Sequence, residues 1–245
     1  MRCALSYSTY TDIGTRAVNE DSLAVFSTDT LQCFAVCDGL GGHGMGDVAS
    51  SVAVNAIGQE VGHAGSADGL LAKALMSAQS AVLEEQRKLG AQKKMKTTAV
   101  ILLSDGRSAY IGHVGDSRLY IFNHNKVKKR TLDHSVPQML ALSGEIKESD
   151  IRHHPDRNSL LRVIGIPWDK PMFELMQPVP LWRCQAFLLC SDGFWENIEE
   201  DRMCALLKEA QSVEEWLNQM AAEVKRNGKG KEMDNNSAIA VWKIR

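Results

Sequence analysis

Five short segments of the 245-residue chain hold acidic residues in settings suited to chemistry: Arg16-Ala17-Val18-Asn19-Glu20-Asp21, Asp38-Gly39, Gly115-Asp116, Ser191-Asp192-Gly193 and Asp234-Asn235. Like charges gathered together repel unless cations neutralise them. No set of cysteines or histidines accompanies these acids, so the donors are hard oxygens. Magnesium and manganese favour about six such donors, several of them waters. A glycine after an aspartate lets the backbone turn and bring a carbonyl or amide close to an ion or phosphate, with no Cβ between. Two ions about 3.5–4 Å apart lower the pKa of a bridging water and aim it for in-line attack on phosphorus. The reaction class is metal-assisted phosphoester hydrolysis. Taken singly, each Asp-Gly reads as a solvated turn or a helix cap. Arg16, four residues before Glu20, reads by itself as a surface ion-pair partner, although its planar fork suits two phosphate oxygens.

The elements around these residues are mostly strands. Leu31–Cys37 runs into Asp38, and Gln185–Cys190 runs into Ser191-Asp192-Gly193, both as buried strands that end in a carboxylate and a glycine. Ser108–Val114 and Arg118–Phe122 read as a hairpin with Asp116 in its turn. Thr97–Leu103 closes on Ser104-Asp105-Gly106, and Asn236–Trp242 is the last strand. Helical spacing covers Asp47 to about Val61, with Asp47 as N-cap, then Ala67 to about Lys88, Glu199–Ala210 and Val213–Arg226. Helices in consecutive pairs between hairpin-like strands point to an α+β or layered sandwich rather than a doubly wound parallel sheet. All six prolines lie between Pro137 and Pro180, in a short helix around Pro137–Leu142 and a loop-rich excursion of the kind that sets specificity.

Composition sets the limits. With 44% hydrophobic and 24% charged residues and a formal net charge of −2, the chain is expected to fold into a compact body with no basic footprint for nucleic acid or an anionic membrane. It contains no run of about 18 apolar residues and no apolar signal core at the N-terminus, so a cytoplasmic protein that begins at Met1 is expected. No repeat or low-complexity linker divides it, and a single domain is the simpler account. The six cysteines form no CxxC pair. Cys33 and Cys37 fall roughly 13 Å apart on one strand face, too far for a disulfide. All six are read as small buried apolar side chains.

Read together and in order, the acidic segments, with Val36–His43, Thr97-Thr98-Ala99, Gly115–Arg118, Leu132-Asp133-His134-Ser135 and Asp234–Ser237, resemble the protein phosphatase 2C family of metal-dependent serine/threonine phosphatases. The resemblance runs through nearly the whole chain. It implies a four-layer α/β/β/α sandwich of two antiparallel sheets flanked by pairs of antiparallel helices. It also implies a single catalytic domain over 1–245 with a flap at about 142–168, and hydrolysis of phosphoserine or phosphothreonine by a metal-bridging water or hydroxide without a phosphoenzyme. Carried over by position, Asp38 would bridge two metals and Gly39 would give its carbonyl to one. Asp192 and Asp234 would complete the other, Glu20 would ligate, and Asp21 would hold metal-bound water. Arg16 would bind the substrate phosphate, and Asp116 with Asp192 would hold a third, weaker ion. Two core Mn2+ or Mg2+ ions are therefore expected. The Gly41-Gly42-His43 run and the stretch His154–Gly165 resemble the bacterial branch, which implies phosphoprotein substrates and a cognate serine/threonine kinase. A monomer is expected.

Three positions depart from the family pattern. Leu40 stands where many eukaryotic members have a histidine proposed as general acid, so the leaving group's proton must come from water or another group; His43 is a candidate donor, or else a brace of the glycine-rich loop. Lys96 replaces a usual glycine before Thr97, and Asp47 a usual glutamate. His113, His134, His153 and His154 are read as structural or solvated, the methionines as core filler, and Lys126–Arg130 as a solvated hairpin edge. Two other classes compete with the phosphatase reading: a phosphoprotein-binding module without turnover, and a two-metal phosphodiesterase. The complete acidic set argues against the first and the order of motifs against the second.

Overall fold

The computed structural model describes residues 3–40, 44–92 and 94–244. Its strands are β1 (Leu5–Asp12), β2 (Asp21–Ser27), β3 (Gln32–Asp38), β4 (Ala99–Ser104), β5 (Ser108–Val114), β6 (Arg118–Asn123), β7 (Lys126–Arg130), β8 (Glu174–Leu175), β9 (Val179–Pro180), β10 (Ala186–Cys190) and β11 (Asn236–Lys243). Its α-helices are α1 (Gly46–Gly62), α2 (Leu70–Lys88), α3 (Val136–Ser143), α4 (Asp192–Trp195), α5 (Glu200–Glu209) and α6 (Val213–Gly228). One sheet runs β1-β11-β10-β6-β7 and the other β2-β3-β4-β5-β8, with β9 also on β5. The pairings are antiparallel.

Side-chain alternation along the strands builds the four layers. On β3, Cys33, Ala35 and Cys37 face outward against Ile57, Leu75 and Val82 of α1 and α2, while Phe34 and Val36 face inward. On β10, Phe187 and Leu189 meet that inner layer, while Leu188 and Cys190 pack outward under Met203, Trp216, Leu217 and Met220 of α5 and α6. A strand covered on both faces needs apolar residues at every position, which is why β3, β4 and β10 read as unbroken apolar runs. The expected sandwich is the one observed. Among the described residues no helix is long and apolar enough to cross a membrane.

Several local expectations need correction. β5 and β6 are not a hairpin: they lie in different sheets, and Gly115-Asp116-Ser117 carries the chain from one to the other. Gly115 makes the turn at φ +100 beside the Thr98 side chain, with no room for a Cβ. Asp47 caps nothing. The residue before α1 is Met45 at φ 69, and Asp47 sits in the first turn, where its charge favours the helix dipole. α2 starts at Leu70, after Gly69 at φ 65, and not at Ala67. Cys3 and Cys204 are only half-buried, unlike the other four cysteines. The β7 edge is solvated except at Val127, which packs against the core under α5 and α6, and at Arg130, which pairs with Asp133 and Glu148. β1, β2 and the two-residue β8 and β9 are strands beyond those expected from the sequence.

Candidate metal centre

Asp38 ends β3, and its backbone is clamped on the β4 side. Its N–H donates to Thr98 Oγ1 at 3.0 Å, while its carbonyl accepts from Thr97 Oγ1 at 2.9 Å and from Thr98 N–H at 2.8 Å. The threonines of the Thr97-Thr98 motif therefore hold the carboxylate strand in place. Gly39 follows with its N–H on the Glu20 carbonyl at 3.0 Å. A Cβ at Gly39 would lie 2.2 Å from the Gly46 carbonyl oxygen and 2.7 Å from that of Glu20, so the turn requires glycine for space.

Asp21, the first residue of β2, pairs directly across the sheet from Asp38. One of its oxygens accepts from Ser191 Oγ at 2.9 Å, and the other, Oδ1, is buried with no hydrogen-bond partner. Asp192 opens α4 on the opposite sheet. Asn235 ties the remaining acids to the first loop: its Oδ1 accepts from Glu20 N–H at 2.8 Å, and its Nδ2 donates to the carbonyls of Ile13 and Val18 at 2.9 and 3.0 Å. The adjacent Asp234 accepts from Arg16 Nη2 at 2.7 Å.

These pieces meet in a cavity of about 620 Å3 whose walls include Arg16, Glu20, Asp38, Gly39, Asp116, Asp192 and Asp234. Asp21 stands behind Asp38 and is not part of the wall. Lys96 and Leu40, two of the family departures, line the cavity as well, and so do Val18, Asn158, Leu160, Val163 and Ile166. The last four gave no chemical signal in the sequence, because apolar and amide residues in an irregular loop carry no periodicity. His43 lies outside the described residues.

The electrostatics are those of acids crowded without a counter-charge. Burial pushes Asp21 up to about 7 and Asp192 up to about 6, and the charges of neighbouring acids add to both. Burial, and then the charge of Asp192, holds Asp38 and Asp116 well above the usual carboxylate range. Glu20 is raised by burial. Glu196, which lies in none of the five acidic segments, is pushed up to about 7 by burial and by Asp192 while pairing with Arg157 at 2.8 Å. Acceptor-only groups that raise one another's pKa, with one carboxylate oxygen buried and orphaned, form a donor set for hard divalent cations and their waters.

Other motif residues build the frame. Arg118 forks onto Asp133 at 2.9 and 2.7 Å and stacks on Trp195 at 3.4 Å, and Trp195 donates its indole N–H to the Asp116 carbonyl at 3.1 Å. His113, His134 and Glu174 bring one donor atom each within 4.8 Å of one another. Yet the two rings stack in near-parallel planes, 4.7 Å apart and 16° from parallel, so their in-plane lone pairs cannot converge on one ion. His113 Nε2 donates to the Leu132 carbonyl at 2.8 Å, and His134 Nδ1 accepts from Gly115 N–H at 3.2 Å. This pair braces the turn that carries Asp116. His153 is exposed and His154 half-buried.

A family model described as Protein phosphatase 2C matches residues 10–235. The serine/threonine phosphatase stp of Listeria welshimeri is 32% identical over 207 residues, which cover 80% of each chain. The crystal structure of serine/threonine phosphatase Stp1 from Staphylococcus aureus is similar with a TM-score of 0.90 at 27% identity, over 99% of this chain and 96% of that one. The catalytic domain of serine threonine protein phosphatase PstP, whose structure is a complex with 2 manganese ions, shares the fold with a TM-score of 0.82 at 24% identity, over 99% of this chain and all of that one.

Proposed function

This chain belongs to the protein phosphatase 2C family, and from that premise we propose that it is a metal-dependent protein serine/threonine phosphatase that hydrolyses phosphoserine and phosphothreonine. One observation carries the reading: carboxylates from both sheets and from the loop before β11 converge on one cavity, with the Arg16 guanidinium at its edge.

Asp38, Glu20, Asp192, Asp234 and the Gly39 carbonyl would hold two Mn2+ or Mg2+ ions, and Asp116 with Asp192 a third. Cations held there supply charge neutralisation and a water of lowered pKa for attack on phosphorus. Asp21, with its orphaned Oδ1, would orient a water from behind Asp38. Arg16 presents a planar fork that fits two phosphate oxygens and so orients the phosphoryl group. Val18, Leu40, Leu160, Val163 and Ile166 give the same cavity an apolar side that excludes bulk water from the reacting ester. With leucine at position 40, the leaving hydroxyl takes its proton from solvent or from a residue outside the described set, and His43 is our candidate.

The stretch 142–168 serves as the flap of a single catalytic domain over 1–245. A serine/threonine kinase acting on the same phosphoproteins is the expected counterpart, and the enzyme works as a cytoplasmic monomer. The test is hydrolysis of a phosphothreonine peptide with manganese, with chelator, and after Asp38→Asn. Turnover is expected only in the first case, and equal rates in all three would overturn the assignment.

A further inference from the structure

A second hollow of about 300 Å3 opens beside the reactive cavity. The two share a ridge, Val163 and Ile166, which lines both. Beyond the ridge Leu161, Pro167, Trp168 and Met172 give the hollow its apolar wall, and the charged residues Arg162, Asp169 and Lys170 line it as well. Leu161 and Ile166 are each about half exposed, at 51% and 44%, so the hollow presents apolar surface to whatever occupies the neighbouring cavity.

The segment that forms the hollow is fixed. Two buried glutamines of α2 grip its backbone. Gln79 donates to the Ile166 carbonyl at 2.6 Å and accepts from Gly165 N–H at 2.8 Å, and Gln86 donates to the Gly165 carbonyl at 2.7 Å. Gly165 takes φ +94 with the Met95 carbonyl oxygen 2.1 Å from where a Cβ would stand, so the chain is threaded through a gap that admits no side chain. Ile164 bridges to Thr97, the residue that holds the Asp38 carbonyl. Trp168 donates its indole N–H to the Val163 carbonyl at 3.0 Å, which sets the ring as one wall. The hollow is therefore held in register with the acidic cavity through the same threonine that positions Asp38. A preformed apolar site binds without the cost of ordering a loop.

We propose that this hollow is a substrate subsite that takes an apolar side chain of the phosphoprotein, a short and fixed distance along the chain from the phosphorylated residue. The proposal rests on the phosphatase reading of the neighbouring cavity. Its volume lies at the lower end for ligand pockets, which suits one or two side chains and not a whole second ligand. Continuity across the Val163–Ile166 ridge makes a peptide seated in the cavity the occupant that reaches it.

The experiment uses phosphothreonine peptides that vary one flanking position at a time between leucine, alanine and aspartate, with p-nitrophenyl phosphate as a substrate too small to reach the hollow. At one flanking position leucine is expected to exceed aspartate in kcat/KM by about tenfold, the discrimination typical of an apolar pocket. Leu161→Asp, at an exposed position outside the reactive cavity, should abolish that preference and leave p-nitrophenyl phosphate turnover unchanged. A flat panel, or a preference that survives Leu161→Asp, with p-nitrophenyl phosphate still hydrolysed, would overturn the subsite alone. No manganese-dependent turnover of p-nitrophenyl phosphate by the unaltered protein would overturn the phosphatase reading, and the subsite with it.

Discussion

Arg16 Nη2 sits 2.7 Å from Asp234 Oδ2, with the two side chains 58% and 38% exposed. The guanidinium we assign to phosphate is thus paired with a carboxylate we assign to a metal. An ion pair this open adds at most about 1 kcal/mol to stability, so its value is positional. Arg16→Ala should leave the melting temperature within about 2 °C while kcat/KM for a phosphothreonine peptide falls by roughly 10–100-fold. Arg16→Lys should recover little, because a point charge cannot fork onto two oxygens. A full rescue by lysine would show that only charge matters at this position.

The crowded acids predict how stability answers to metal and pH. Asp21 and Asp192 are pushed up to about 7 and about 6 in the fold, above the ordinary aspartate value of 3.8 that holds in the unfolded chain. The folded state therefore holds protons that the unfolded chain has lost. The associated stability is complete below about pH 4 and drains away as pH rises through 6 and 7. Manganese supplies at neutral pH the positive charge that protons supply in acid, so it should raise the melting temperature more at pH 7.5 than at pH 5.5. Asp38→Asn removes one repelling charge and should stabilise the chelated protein at pH 7.5 while costing more than about 100-fold in activity. Equal manganese shifts at the two pH values would show that the acids do not bind the ion as a set.

His134 carries a pH dependence of opposite sign. Burial, then the nearby His113, lowers it from 6.5 to about 4. Between those values the unfolded chain takes up a proton that the folded one refuses, so this stability is complete above about pH 6.5 and is lost as pH falls toward 4. His134→Asn, which retains an acceptor for Gly115 N–H, should remove that slope. Denaturant titrations at pH 7 and 4.5 should show the unaltered protein losing about 2 kcal/mol more than the variant over that interval. The acidic residues are common to both proteins and cancel in the comparison. Parallel losses would mean that the imidazole is protonated in place.

The acids, their order and the layered fold were legible because strand ends are marked locally: an apolar run, a carboxylate, a glycine. The crossing at Gly115-Asp116-Ser117 was not. β5 and β6 are buried on nearly every residue, so neither shows the face alternation that would reveal which sheet it joins. β1 escaped notice because serine, threonine and aspartate fill five of its eight positions, and its place is fixed by pairing with β11, over two hundred residues away. The cavity's apolar wall depends on Gln79 and Gln86 reaching from a helix to residues 165 and 166, which are at least 79 positions distant in the chain. No local pattern encodes such a grip. Asp47 looked like a cap by type, yet the left-handed turn at Met45 brings the helix in without one.

Gly39 offers the sharpest separation of space from flexibility. A methyl group there would meet two backbone carbonyl oxygens, at 2.2 and 2.7 Å, and neither belongs to a side chain that can swing aside. The Glu20 and Gly46 segments would have to move, and both border the acids: the Glu20 backbone anchors Gly39, and Gly46 opens the helix behind it. Gly39→Ala should therefore cost about 1–3 kcal/mol and reduce manganese affinity together with turnover. Gly62→Ala is the matched control, because a Cβ at that helix position meets nothing within 4 Å. It should be neutral or stabilise by up to about 1 kcal/mol, with unchanged activity. If Gly39→Ala bound manganese as tightly as the unaltered protein, the tight approach of β3 to the Glu20 loop would not be what sets the metal positions.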